Sequence, residues 1–165
     1  MQIGSDDPRV LHVVASGAKE GLEVRPHVFS NETRTSVDAA REIGCEVAQI
    51  AKTLVFEAGG EPVIFIMSGS NRVDLGKAGA VIGDEVKRAD ANKVKEATGY
   101  SIGATPPFGH ATALKVYMDE DLLTHDEVWA ASGRPDAVFP ADPNALAKAA
   151  GATIGDLKQE SSEQT

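Results

Sequence analysis

Two neighbouring runs, 52–57 and 62–68, are dominated by apolar and β-branched residues, and Ala58-Gly-Gly-Glu61 separates them. Both runs are β-branched and aromatic, so together they predict a β-hairpin. A strand without polar alternation is covered on both faces, which places this hairpin inside the molecule. Elsewhere the pattern is punctuated by caps and stops. A first helix is expected from Pro8, capped by Asp6 or Asp7, to Gly17 or Gly21. A strand over 24–30 then enters the polar turn Asn31-Glu32-Thr33. Thr35 caps and Gly44 stops a second helix over 36–43, and a helical turn follows at 47–50. Further helices are expected over 73–80 and, between Asp90 and Gly99, over 91–98. Strands are expected at 113–118, 127–131 and 137–140. A last helix, 144–150, has Asp142 as its cap, Pro143 at its start and Gly151 past its end. The result is a mixed α/β chain of the α+β kind. It lacks strict βαβ alternation, which argues against a doubly wound dinucleotide fold.

The 165 residues have the length of one domain. We expect a single domain over 1–165, with its core over about 8–157 and a frayed polar tail over 159–165. No apolar run approaches the ~20 residues of a membrane span, and the acidic, polar residues 1–9 carry no signal-peptide pattern. The lone Cys45 excludes a disulfide scaffold and a Cys-rich zinc site, and it fits a reducing cytoplasm. In its mostly apolar stretch it reads as a packed residue rather than a nucleophile. His12, His27, His110 and His125 are scattered with no pair at ligand spacing, so no metal is expected.

The formal net charge of −9 argues against duplex DNA as a partner, because that affinity requires many neutralised phosphates. The charge is uneven, however. Over 72–95 six cations, Arg72, Lys77, Lys87, Arg88, Lys93 and Lys95, outnumber four carboxylates. That stretch is either a solvated mixed-charge surface or a local basic face able to hold a short piece of RNA.

Several familiar sites are absent. There is no Gly-x-Ser-x-Gly elbow. Gly69 and Gly76-Lys77 have the wrong spacing for a phosphate loop, with Ala78 where a hydroxyl is needed, and Gly76, Gly79 and Gly83 do not make a dinucleotide fingerprint. A nucleotide-handling α/β enzyme therefore rests on scattered glycines alone. Two features remain. Lys52 opens an apolar strand. Either its ammonium stays in water at the edge, or it faces a cleft as a fixed positive charge for a phosphate or a developing oxyanion. The second feature is Gly103-Ala-Thr-Pro-Pro-Phe-Gly109-His110. Two glycines bracket two prolines and an aromatic ring, giving a rigid segment that is either a stiff connector or a pocket wall. In the second case the Gly103 and Ala104 N–H groups would suit a carbonyl or carboxylate.

Taken together, these features resemble the YbaK/ProX family, the editing domains associated with prolyl-tRNA synthetase. Lys52-Thr-Leu-Val-Phe is similar to that family's lysine strand, and Gly103 to Gly109, with Pro107 at the proline, resembles its Gly-x-x-x-Pro-x-Gly loop. Thr33-Arg-Thr-Ser36 with Ala39-Ala40, Ser68-Gly-Ser-Asn-Arg-Val-Asp-Leu75, Ala97-Thr-Gly-Tyr100, Ser132-Gly-Arg-Pro135 and Val138-Phe139 agree in order and spacing. The resemblance covers about residues 8–157.

The resemblance implies a strongly curved, mostly antiparallel mixed sheet of about seven strands surrounded by helices. It also implies hydrolysis, in trans, of the ester between a wrong amino acid and a tRNA in the cytoplasm, without metal or organic cofactor. In that scheme Lys52 is the essential lysine and Gly103 offers its N–H to the aminoacyl carbonyl. Phe29, Thr53, Ala104, Pro107, Phe108, Gly109, His110, Ser132 and Gly133 are substrate-binding candidates, and Asp136 has no assigned role. The Pro-Pro-Phe-Gly-His form of the loop is closer to ProX-type relatives that remove small amino acids such as alanine or 2-aminobutyrate. Serine and cysteine, on tRNA(Pro) or a similar tRNA, complete the candidate set. An aminoacyl-tRNA synthetase is a possible partner. The alternative is a non-catalytic module of the same fold that binds a tRNA end, a nucleotide or a synthetase.

Overall fold

The chain was analysed as a computed structural model, which describes residues 2–160 apart from 32 and 34. Helix α1 (Pro8–Lys19) starts at the expected proline, and the Asp7 carboxylate accepts the Arg9 amide. Helices α2 (Ser36–Ile43), α3 (Leu75–Ile82), α4 (Ala91–Thr98) and α5 (Pro143–Ala150) share one construction. Thr35, Asp74, Asp90 and Asp142 each cap a start by accepting the amide three residues on, and a glycine follows each end. Helix α3 lies two residues later than its pattern suggests, because Asp74 and Gly83 fix its ends.

The strands are β1 (Gln2–Ile3), β2 (His27–Val28), β3 (Ile50–Ala58), β4 (Glu61–Ser68), β5 (Val86–Arg88), β6 (Lys115–Asp119), β7 (Val128–Ala131), β8 (Ala137–Ala141) and β9 (Thr153–Gly155). They form one mixed sheet in the order β1-β2-β8-β7-β3-β4-β6-β9, with β5 pairing on β3. Antiparallel pairings predominate; β3 with β7, β4 with β6 and β6 with β9 are parallel. The expected mixed, mostly antiparallel architecture is therefore present. Among the described residues there are nine strands rather than about seven, because β1, β5 and β9 are only two or three residues long and carry no readable period. The strand expected over 24–30 contracts to β2. Pro26 has no N–H to give a ladder, and Val24 turns into the core instead.

The central hairpin joins β3 to β4 in unbroken register from Ala51↔Ser68 to Ala58↔Glu61. Its two-residue turn is Gly59-Gly60, with φ of +60° and +82°; positive φ at both positions is what this hairpin turn needs and what glycine supplies. Strand β4 is buried on both faces, as its unbroken apolar run predicts. Ile64 and Ile66 face one core cluster, with Val13 of α1, Met118 of β6, Phe139 of β8 and Leu146 of α5. Phe65 and Met67 face another, with Ala78 of α3, Val86 of β5 and Leu157. A third cluster joins Phe29, Ala39, Ala40, Ile50, Trp129 and Val138, seating α2 against the ends of β3, β7 and β8.

The segment after β9 is tied back onto the molecule. The buried Asp119 carboxylate accepts the Leu157 and Asp121 amides, at 2.8 and 3.1 Å. Gln159 donates its amide to the Arg72 carbonyl, and Lys77 pairs with Asp156 and Glu160. Of the expected tail, residues 159 and 160 are thus held, and 161–165 lie outside the described residues. So do Glu32 and Arg34, in and beside the turn expected after β2. Among the described residues no helix is long and apolar enough to cross a membrane.

Candidate active site

Strand β3 has β4 along the whole of one edge but is only partly covered on the other. Strand β7 pairs with Ile50 and Ala51, and β5 pairs with residues 56–58. Residues 52–55 have a strand partner on the β4 side alone. An uncovered stretch of strand presents main-chain polar groups to whatever lies beside it. Beside this one lies a cleft of about 940 Å³.

Lys52 sits within that gap, opposite the fully buried Met67, and lines the cleft half-buried. Among the described residues no carboxylate pairs with its ammonium. Burial pushes its pKa below the usual lysine range, and the nearby positive charge of Arg72 pushes it the same way. Of the two readings, an ammonium in water at the strand edge and a cation facing a cleft, the half-buried position on the cleft wall matches the second. Thr53 also lines the cleft, and its buried hydroxyl has no hydrogen-bond partner.

The Gly-Pro loop approaches from α4. Gly103 lines the cleft with φ of +87°, and a Cβ there would meet nothing within 4 Å, so the glycine is demanded by backbone conformation rather than by crowding. The Ala104 amide is not free, contrary to expectation. It donates to the Ser101 carbonyl at 3.1 Å, closing a turn that the Thr105 hydroxyl reinforces on the same oxygen. Ala104 itself is 1% exposed.

The other loop residues lie outside the cleft wall. Pro107 is buried, and Phe108 packs on Phe139 with ring centroids 5.9 Å apart. The Gly109 carbonyl meets the His12 ring nitrogen Nε2 at 3.0 Å. His110 Nε2 lies 2.7 Å from the Pro106 carbonyl, which makes it the donor and clamps the loop across four residues. Burial lowers the His110 pKa, and that hydrogen bond partly opposes the shift.

Of the remaining candidates, Phe29 lines the cleft at its apolar end, with Ile50, Trp129 and Val138. Ser132 and Gly133 do not line it. Ser132 is fully buried with an unpartnered hydroxyl, and Gly133 (φ +100°) lies where a Cβ would collide with the Arg9 carbonyl. Asp136 has one oxygen bound by Arg134 and the other buried without a partner, in a smaller pocket that shares Phe29 and Pro135 with the main cleft.

Sequence reasoning did not assign Arg72, Arg88, Ile102, Trp129 or Gln159 to the site, yet all line the cleft. The excess of cations over 72–95 was the available signal for the two arginines. Among the described residues the wall contains no Asp, Glu, His or Cys, so a side-chain carboxylate, imidazole or thiol base is missing. Nor do the described residues bring three or more His, Cys, Asp or Glu together as a metal site. The arrangement offers positive charge, one unpartnered hydroxyl and glycine backbone.

Known proteins with this architecture point one way. A solved structure described as a candidate trans-editing enzyme for prolyl-tRNA synthetase superimposes with a TM-score of 0.89 at 41% identity, covering 94% of this chain and all of the other. YwhH of Bacillus subtilis, itself uncharacterised, is 32% identical over 73% of this chain and 77% of its own length. A proline–tRNA ligase of Maridesulfovibrio salexigens is 32% identical over 57% of this chain, a match that spans only 16% of the ligase. The profile of the aminoacyl-tRNA editing domain matches residues 30–149, and this chain belongs to that family.

Proposed function

We propose that this protein is a trans-acting deacylase that hydrolyses the ester joining a small amino acid to the 3′ end of a tRNA in the cytoplasm. The observation that carries the reading is the Lys52 ammonium, which has no carboxylate partner among the described residues and shares with Gly103 a cleft whose described wall holds no side-chain base. An aminoacyl ester is already activated, so the site has to place water and stabilise the charge that develops on the carbonyl oxygen. The Gly103 N–H is the donor for that oxygen. Lys52 supplies positive charge at the terminal phosphate or the oxyanion.

With no side-chain base among the described cleft residues, the free hydroxyl of the substrate's terminal ribose orients the water. The water oxygen bonds to the carbonyl carbon, and the bond from that carbon to the ribose oxygen breaks. The departing ribose oxygen takes a proton, leaving a free amino acid and an uncharged tRNA end. The apolar end formed by Phe29, Ile50, Trp129 and Val138 suits a short side chain, and the unpartnered Thr53 hydroxyl is available to its polar atoms. A larger side chain is excluded by steric clash. A synthetase partner would supply tRNA affinity that an acidic chain lacks.

Single-turnover hydrolysis of Ala-, Ser-, Cys- and 2-aminobutyryl-tRNA by wild type and Lys52→Ala tests this. Wild type should release at least one amino acid, and the variant should lose about 10²–10³ in rate. A folded, fully active Lys52→Ala protein would remove the lysine from the mechanism. Absence of release from every tRNA, with tRNA or a synthetase still bound, would leave a binding module.

A further inference from the structure

Lys77 is the only charged residue of α3. Its ammonium donates to both oxygens of Asp156, at 3.1 and 3.0 Å, and to Glu160 Oε1 at 2.8 Å. These two carboxylates stand at opposite ends of the strap, residues 156–160, that follows β9, so one ammonium clasps both ends. Between them the strap runs along residues 72–74. The Asp74 amide donates to the Leu157 carbonyl, Val73 and Lys158 form an antiparallel bridge, and the Gln159 amide donates to the Arg72 carbonyl. The Gln159 side chain adds a bond to the Val73 carbonyl.

The charges around the strap oppose this arrangement unless they are matched. Asp119, Asp121, Asp156 and Glu160 gather around two cations, Lys77 and Lys158. Carboxylates this close repel, and the shared ammonium is what makes Asp156 and Glu160 compatible. The two ends of the strap differ in kind. Leu157 is fully buried and its amide is held by the Asp119 carboxylate. Gln159 and Glu160 are exposed, and among the described residues only the Arg72 and Val73 carbonyls and Lys77 hold them. Such an end opens locally at small cost, whatever the stability of the whole. What it holds faces the cleft. Gln159 and Arg72 both line the cleft wall, and Arg72 is the cation close enough to act on Lys52.

We propose that Lys77 is a positioning residue of the cleft: by clasping the strap it holds the Arg72 guanidinium at Lys52 and keeps the two cations in one fixed arrangement. Two like charges held together attract an anion jointly and make it harder for either to keep its proton. The role rests on the deacylase reading only for the work assigned to Lys52; the arrangement itself is read without a substrate.

Two readouts test this in wild type, Lys77→Met, Lys77→Arg and Arg72→Met: amide hydrogen exchange by NMR, and acetylation of Lys52 by trace acetic anhydride, followed by mass spectrometry. In Lys77→Met the Gln159 amide should exchange about tenfold faster while the Phe65 amide in β4 stays protected. Removing a neighbouring positive charge favours the protonated, unreactive ammonium. Acetylation of Lys52 at pH 8 should therefore slow about two- to threefold in Arg72→Met. Lys77→Met should slow it in the same direction. Lys77→Arg should restore both readouts, because a guanidinium also spans two carboxylates. Unchanged Gln159 exchange in Lys77→Met would overturn the clasp. Faster exchange with unchanged acetylation, or no effect of Arg72→Met, would overturn the link from the clasp to Lys52. Single-turnover deacylation on the same variants keeps the two readings apart. The expected pattern with a fully active Lys52→Ala protein would leave the clasp and remove the lysine mechanism. Lysine-dependent deacylation without the pattern would do the reverse.

Discussion

His110 shows how a single side chain sets the shape of the Gly-Pro loop. Its ring can donate from Nε2 to the Pro106 carbonyl whether neutral or charged, but burial favours the neutral form. The pKa of the folded protein is thus below that of an unfolded histidine. Between the two values the unfolded chain binds more protons, so stability is full above about pH 6.5 and declines as pH falls through the depressed value. We expect urea denaturation at pH 5 and pH 7.5 to show a smaller pH-dependent loss for His110→Gln than for wild type, while the amide of Gln retains a donor for Pro106. An unchanged pH dependence would mean that His27, whose pKa burial also lowers, carries the effect. Individual residues differ in how far they could be read in advance. For Lys52 the pattern left a wet edge and a cleft both open, because a lysine that opens an apolar strand fits either, and only the family resemblance pointed to the cleft. Ala104 was not legible, because the consumption of its amide depends on a turn closing onto Ser101. Phe108 misled for a related reason: an aromatic ring in a Gly-Pro loop looks like pocket lining, but Phe139 on a distant strand claims it.

Among the elements, the helices were the most readable, because caps and stops are local chemistry. Thr35, Asp90 and Asp142 announce α2, α4 and α5 in their own few residues. Strand β5 carries no such mark; its three residues are strand only because β3 lies beside them, and with it the place of Arg88 was hidden. The strap from β9 to Glu160 is a second element invisible to pattern. It walls the cleft through Gln159 and fixes the Arg72 segment, and its anchor is the fully buried Asp119. Asp119→Ala leaves two amides without their acceptor, at a cost of about 2–4 kcal/mol. Equilibrium urea unfolding should report that loss, with Asp119→Asn falling between. A loss below about 1 kcal/mol would mean that the strap holds without its carboxylate.

On the scale of the molecule, charge is sorted rather than balanced. The chain carries a net −9, yet the described cleft wall holds Lys52, Arg72 and Arg88 and no carboxylate. Low-dielectric walls focus such a field, so an anion is drawn to the cleft while the acidic exterior repels polyanions elsewhere. For tRNA gripped by these three cations alone, log affinity should fall with log salt at a slope of about −2. A much steeper slope would require phosphate contacts outside the cleft, on the body of the tRNA.

The unbroken register of the β3–β4 hairpin has a consequence at the cleft. Side chains alternate along β3, so a slip of one residue against β4 would carry Lys52 to the opposite face and put Thr53 in its place. Both strands are packed too tightly to absorb such a change halfway. A residue gained or lost within 53–58 would therefore take Lys52 off the cleft wall unless the strand bulged, whereas the exposed turn can lengthen without disturbing the ladder. The lysine's address is written in the residue count of the strand that leads from it to the turn.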